Sequence, residues 1–273
     1  GVQTCALPIY KRIFFLPGVP KEMKAIFREN VVDLLNQWQT VERVPISSKS
    51  LNVYGIGESA LEEKLGALVS RDGNPSIGFS CSPALNSIHV MAYGEEAEDL
   101  VNSMLSKIRA ILPEQIMGAP SESPARALIS LARDSALSFA VVDGASGGRL
   151  IHDLSSVLED REEGVFLGGE VLSPLELEQD WGDELREYSL KCLGRKEADL
   201  LLSIAFKKGD DRATMVIVSS EYGSRMERVE GLHGRSDWEE RICNLSLAFL
   251  WSFISKVKKE KKKWPPIESG GLK

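Results

Sequence analysis

Leu16-Pro17-Gly18-Val19-Pro20-Lys21-Glu22-Met23 follows the apolar run Ile13-Phe14-Phe15-Leu16 and opens a helical pattern that reaches about Trp38. Buried strand, tight loop and helix start in that order form one corner of an anion site in an α/β sheet. Pro17-Gly18 is a turn dipeptide in which glycine has access to positive φ, and Pro20 suits the first helical position, where a missing N–H has no consequence. The unpaired N–H groups of that turn and the helix dipole favour an anion by about 0.3–1 kcal/mol. Gly18, Pro20 and Glu22 are therefore candidate nucleotide-binding residues, against the alternative of a strand-to-helix connection that binds nothing.

Ahead of the loop, Gly1-Val2-Gln3-Thr4-Cys5-Ala6-Leu7-Pro8-Ile9 lacks the basic and apolar regions of a signal peptide. It resembles the in-frame translation of a sequencing adapter, so residues 1–9 are set aside as a leader and the natural chain is expected to begin near Tyr10. The 273 residues suit about two domains, and 43% apolar content supplies their cores. A net charge of -7 argues against general polyanion binding. No apolar run reaches the roughly 18 residues of a membrane span. Four widely spaced cysteines suggest neither a disulfide framework nor a zinc site, and a cytoplasmic location follows. His89, His152 and His233 stand alone, without ligand spacing, so no metal site is expected from them. Lys256, Lys258, Lys259, Lys261, Lys262 and Lys263 read as a solvated basic tail, with 259–273 disordered.

Between these ends the pattern is organised. A strand is expected over 49–54, a break at Gly55-Ile56-Gly57, and a helix from Glu58 with Leu61, Leu65 and Leu68 on one face. Asn74-Pro75 leads into strands at 76–80 and 87–93, and a helix over 95–112 turns Leu100, Met104, Ile108 and Ile111 inward. This is a small α+β module, 44–113, with helices on one face of a short sheet. Residues 114–123, rich in Pro, Gly, Ser and Glu, read as a linker. Beyond it, 124–258 suggests an α/β layer domain: a helix at 124–134, a strand at 137–142, a glycine-rich turn at 143–148, strands at 165–172, 199–206 and 214–220, and a closing helix at 238–257.

Three of these segments, in this order, resemble the CinA (competence/damage-inducible) family. Leu16 to Met23 with its helix is similar to the end of that family's MoaB/MogA-like, molybdopterin-binding-like domain, which makes 10–43 a remnant. Leu51-Asn52-Val53-Tyr54-Gly55-Ile56-Gly57-Glu58-Ser59 with Asn74-Pro75 resembles its KH-like domain, and 139–148 with 165–169 resembles its C-terminal nicotinamide-nucleotide deamidase domain. The likeness covers residues 11 to about 254. It implies an α/β and α+β multidomain protein related to pyridine-nucleotide salvage, with nicotinamide mononucleotide or ADP-ribose as candidate ligands and a homo-oligomer as the expected assembly. Divalent-metal chemistry would need phosphate-loop and acidic residues upstream of Leu16, so no cofactor is expected within this chain. Gly55-Ile56-Gly57 is followed by Glu58 rather than by basic residues, so nucleic acid is not an expected partner.

The family's deamidase segment A-E-S-C-T-G-G supplies a serine nucleophile. Here the matching run is Val142-Asp143-Gly144-Ala145-Ser146-Gly147-Gly148, with Gly144 at the nucleophile position. Where the pattern F-x-G-G-x-x-x-Y-S-N-E-x-K brings an activating Tyr and Lys, this chain keeps Phe166-Leu167-Gly168-Gly169 but has Ser173 and Glu178. The later A-V-T-G-I-A-G-P-type loop is shortened to Leu202-Ser203-Ile204-Ala205-Phe206-Lys207-Lys208-Gly209. A serine nucleophile depends on its neighbouring base for about 10²–10⁴-fold in rate, so the deamidase site is expected to be inactive. Ser146 is the one candidate for a displaced nucleophile, with a turn or N-cap hydroxyl as its alternative, and Asp143 suits a cap as well. Gly147, Gly148, Gly168 and Gly169 are carried over as nucleotide-binding candidates. A non-catalytic nucleotide-binding or oligomerisation module is the competing reading.

Overall fold

The computed structural model describes residues 4–6, 12–37, 44–69, 73–172, 181–206, 212–230 and 237–260. They fall into two units, Gly1–Pro45 and Ile46–Lys273.

In the first unit, β1 (Thr4–Ala6) pairs antiparallel with β2 (Arg12–Phe14). The leader set aside above thus supplies a strand partner. The run at 13–16 is not buried as expected: Ile13 is 46% and Phe15 65% exposed, and the ladder it belongs to is only two strands of three residues. The helix expected over 20–38 is present in three pieces, α1 (Pro20–Ile26), a π-helical turn (Phe27–Val31) and α2 (Val32–Gln37). The Val32 N–H closes the π turn on the Phe27 carbonyl. Trp38 lies outside the described residues.

The second unit holds two sheets. The first has the order β4-β5-β3-β6 with every pairing antiparallel, built from β3 (Ile46–Tyr54), β4 (Ser76–Ser82), β5 (Leu85–Tyr93) and β6 (Ile116–Met117). Strict alternation along β5 buries Ile88, Val90 and Ala92, while His89, Met91 and Tyr93 face outward. Helices α3 (Glu58–Leu65) and α4 (Ala97–Ile111) cover the inward face, Leu61 and Leu65 packing beside Leu51, Val53 and Ile77. Each such fully buried aliphatic side chain contributes about 1.5–3 kcal/mol. On α4 the buried stripe is Val101, Leu105 and Ile108, extended by Leu112. Of the expected stripe, Ile108 is buried as expected, Leu100 and Met104 pack only partly buried against the core, and Ile111 is 39% exposed. Residues 114–123, expected as a linker, instead carry β6 and lie along β3. The Ser121 N–H donates to the Ser50 carbonyl at 2.6 Å, and Asn52 Nδ2 donates to the Glu122 carbonyl at 2.6 Å.

The other sheet has the order β11-β10-β9-β7-β8. β7 (Phe139–Gly144) runs parallel to β8 (Phe166–Val171) and to β9 (Leu200–Phe206), while β10 (Ala213–Ser219) and β11 (Gly223–Val229) continue antiparallel. Helix α5 (Pro124–Asp134) starts where Ser123 Oγ accepts the Arg126 N–H at 3.2 Å, with proline at the first helical position. Side chains of α5, α6 (Arg149–Ser155) and α8 (Trp238–Glu260) pack on one face, joining Phe139, Val141, Ile204 and Ile217. Helix α7 (Trp181–Lys196) covers the other face with Leu185, Cys192 and Leu193. α6 is the helix expected to follow the 143–148 turn, α7 and β11 add to the elements read from sequence, and α8 runs on to Glu260, into the tail expected from 259. Among the described residues no helix is long and apolar enough to cross a membrane.

Candidate functional site

The C-terminal ends of the parallel strands β7, β8 and β9 lie side by side, and the β7–α6 turn, Asp143 to Gly148, closes this end of the sheet. Such strand ends are the usual ligand edge of an open α/β sheet. Asp143 is fully buried, and its carboxylate organises the turn. Oδ1 accepts the Ala145 N–H at 3.1 Å and the Ser146 N–H at 2.7 Å, while Oδ2 accepts the Gly148 N–H at 2.9 Å and the Ser146 hydroxyl. The Asp143 carbonyl accepts the Leu172 N–H at 2.9 Å, which ties the turn to the end of β8.

Ser146 is 4% exposed. Its Oγ donates to Asp143 and accepts the Leu150 N–H at 3.1 Å, so its bonding is taken up inside the turn. The position capping α6 is Gly148, at φ 94°, rather than Ser146 or Asp143, although both supply hydrogen bonds to that end. Cys243 of α8, which no sequence motif singles out, sits beside Ser146. Burial is the main cause that pushes its thiol up to about 11, against a smaller opposing effect of the Ser146 hydrogen bond. A thiol held in that state is a poor nucleophile at neutral pH.

The glycines divide by surroundings. A Cβ on Gly147 or Gly168 would meet no atom within 4 Å, whereas one on Gly144 would stand 3.0 Å from the Ile204 carbonyl oxygen and one on Gly148 3.2 Å from Val171 Cγ2. Gly169 is the tightest: a Cβ there would stand 2.6 Å from Ile151 Cδ1 and 2.7 Å from the Val141 carbonyl oxygen. Gly148 and Gly169 are thus packing glycines, while Gly147 and Gly168 leave backbone open. Gly169→Ala is expected to lower stability by about 2–4 kcal/mol, because the β7 backbone cannot retreat as a side chain would; urea unfolding compared with the unsubstituted chain measures it.

On the α7 side of the same strand ends, Glu170 meets Tyr188 OH at 3.4 Å, Arg195 at 3.6 Å and Lys196 at 3.8 Å, and Arg195 donates to Cys192 Sγ at 2.8 Å. No sequence signal joins these residues. Gly18, Pro20 and Glu22 belong to the first unit, where Pro20 opens α1 and Glu22 is its first-turn acid. Ser173, Glu178 and residues 207–209 lie outside the described residues. Among the described residues no group of three His, Cys, Asp or Glu side chains is placed to hold a metal ion.

A four-stranded antiparallel sheet backed by two helices, beside a mixed five-stranded α/β sheet, defines a mixed α/β protein with a KH-like module. Residues 48–118 match the family model described as the damage-inducible protein CinA KH domain, a match that supports membership of the CinA family. It is 29% identical over 150 residues to a putative competence-damage inducible protein of Caldicellulosiruptor saccharolyticus, covering 54% of this chain and 36% of that protein. A protein of the same description from Oceanobacillus iheyensis is 33% identical over 147 residues, covering 53% and 35%. The chain thus spans about a third of the length of these curated relatives. Among solved structures, a competence or damage-inducible protein from Enterobacter asburiae aligns at 14% identity and a TM-score of 0.40, over 49% of this chain and 99% of that one.

Proposed function

We propose that the chain is a CinA-family relative of pyridine-nucleotide salvage in which the β7–α6 turn keeps its architecture without hydrolysing an amide. The observation that carries this reading is the state of Ser146. Gly144 stands where the family resemblance places the nucleophile, and the nearest hydroxyl is buried and committed to Asp143 and to the Leu150 N–H. Asp143 in turn receives three backbone N–H groups, so its oxygens are engaged in shaping the turn rather than aimed outward as a base. Covalent amide hydrolysis requires a reachable nucleophile and a base beside it. Incubation with nicotinamide mononucleotide is expected to release no ammonia above the protein-free control, and Gly144→Ser is expected not to restore release. Turnover that Ser146→Ala abolishes would overturn the proposal.

The open backbone at Gly147 and Gly168 supports a second reading, in which the domain holds a nucleotide without transforming it. Calorimetry with nicotinamide mononucleotide and with ADP-ribose separates the two: a saturable heat without ammonia release favours the binding module.

A further inference from the structure

The strand at one free edge of the antiparallel sheet reads alike from either end. With its flanking residues, β4 is Pro75-Ser76-Ile77-Gly78-Phe79-Ser80-Cys81-Ser82-Pro83, with Phe79 at the midpoint. Reversed about Phe79, Ser76 meets Ser82, Ile77 meets Cys81, Gly78 meets Ser80, and proline meets proline. The run carries no charge. The other sheet edges of the second unit are guarded against a further strand: β11 carries three charged residues, β8 a register shift, and β6 is two residues long.

The backbone shares this symmetry. The Tyr93 N–H donates to Asn74 Oδ1 at 3.0 Å and the Tyr93 carbonyl accepts from Asn74 Nδ2 at 2.8 Å, so Tyr93 turns its polar groups toward the β4 side of β5. Met91 does the same two residues away, its carbonyl accepting from Ser76 Oγ at 3.3 Å. Met91 stands opposite Ser76, so Ser76, Gly78, Ser80 and Ser82 direct their backbone groups at β5. The N–H and C=O groups of Ile77, Phe79 and Cys81 therefore point to the outer edge, which has no strand partner among the described residues. Pro75 and Pro83 fall in the same outward phase and offer no N–H, so they bracket the usable edge. Only an antiparallel copy centred on Phe79 uses all three outward residues of both strands without setting one of them opposite a proline.

We propose that two copies of this chain pair β4 with β4 across a two-fold axis at Phe79, joining two four-stranded sheets into one of eight strands. Phe79, partly buried against the core of its own module, would pack on the partner's Phe79, and the exposed Cys81 would be covered by the partner's Ile77. No like charges meet within the ladder. Beside it, Glu58 and Glu62 of α3 each have an interaction already, Glu58 with the Cys81 thiol. A single seven-residue ladder falls short of the roughly 1,200–2,000 Å² of a stable interface, so the association is expected to be weak and reversible.

Sedimentation velocity of the whole chain over about a hundredfold range of concentration is expected to show a monomer and dimer in equilibrium. Cys81→Pro removes an outward N–H without touching the β5 side, and is expected to weaken the dimer about tenfold or more with an unchanged far-UV spectrum. Cross-linking in a Cys81→Ser chain reads the register independently of that variant. Gly78→Cys combined with Ser80→Cys places thiols opposite each other across the axis and is expected to give interchain disulfides under mild oxidation. Gly78→Cys alone is expected to give none, because its two copies stand two residues apart along the ladder. A chain that stays monomeric, a dimer that a folded Cys81→Pro leaves intact, or equal cross-linking of the single and paired variants would refute this pairing.

Discussion

Asp143→Ala is expected to lower the stability of the second unit by about 3–5 kcal/mol, the largest effect of any single substitution at the β7–α6 turn. The carboxylate is fully buried and accepts from Ala145, Ser146 and Gly148 N–H groups and from the Ser146 hydroxyl. Removing it leaves three backbone donors in a space that admits little water, and each orphaned donor costs about 1–3 kcal/mol before the turn relaxes. Asp143→Asn keeps one accepting oxygen but sets an amide N–H₂ against N–H donors, so about half the loss is expected to remain. Urea unfolding followed by tryptophan fluorescence gives both values. An unchanged midpoint for Asp143→Ala would show that the turn holds its shape by packing alone.

Glu162→Leu is expected to cost about 3 kcal/mol, for a different reason. The Glu162 side chain is fully buried at the end of a short 3₁₀ turn (Asp160–Glu162), and two arginines of α5 converge on it. Arg126 Nη1 donates at 2.6 Å to Oε2 and Nη2 donates to Oε1, while Arg133 Nη1 reaches Oε1 at 2.9 Å. Arg126 also donates to the Val157 carbonyl at 2.7 Å, so the cluster pins α5 to the segment after α6. Loss of the carboxylate leaves two guanidinium groups facing each other in a half-buried site. The Arg126 hydrogen bond is the main cause that holds the Glu162 carboxyl down at about 2, from an ordinary 4.5; the Glu159 N–H and the arginine charges add to it and burial opposes it. Because the folded value is the lower one, this stabilisation is complete above about pH 4.5 and is lost as pH falls from there toward 2. The wild-type chain should therefore lose stability over that window more steeply than Glu162→Gln, measured as urea midpoints at successive pH values.

Where local signals are strong, the sequence specifies its elements closely. Ser123 followed by Pro124 marks the start of α5, and the turn after Gly55 starts α3 as expected. The alternation that identifies β5 also decides which of its residues face outward. α7 escapes because its buried row, Leu185, Ser189, Cys192 and Leu193, is diluted by polar atoms that are satisfied only in the fold, as when Ser189 Oγ donates to Ser203 Oγ at 2.6 Å. β11 escapes because an edge strand needs few apolar residues. β6 is legible only through its partner β3. At the site, the turn and its glycines are readable from residue pattern, but the clusters around Glu162 and Glu170 join residues far apart in the chain, and no spacing rule connects them. Cys243 reaches Ser146 for the same reason: α8 returns across the sheet face that holds α6.

The register shift in β8 acts as a phase switch for charge. Phe139 pairs with Phe166, but Val141 pairs with Gly169, so β8 carries one extra residue at Leu167-Gly168, where Gly168 takes φ 77°. Phe166 joins the layer of α5 and α8, and Gly169, an odd number of residues later, still faces Ile151 on that side. Glu170 consequently emerges on the opposite side, among Tyr188, Arg195 and Lys196. Without the bulge, residue-for-residue pairing from Phe166 onward would place Gly168 opposite Val141 and turn the Glu170 carboxylate into the apolar layer, away from both of its cations. One glycine thus fixes which face of the sheet carries that negative charge.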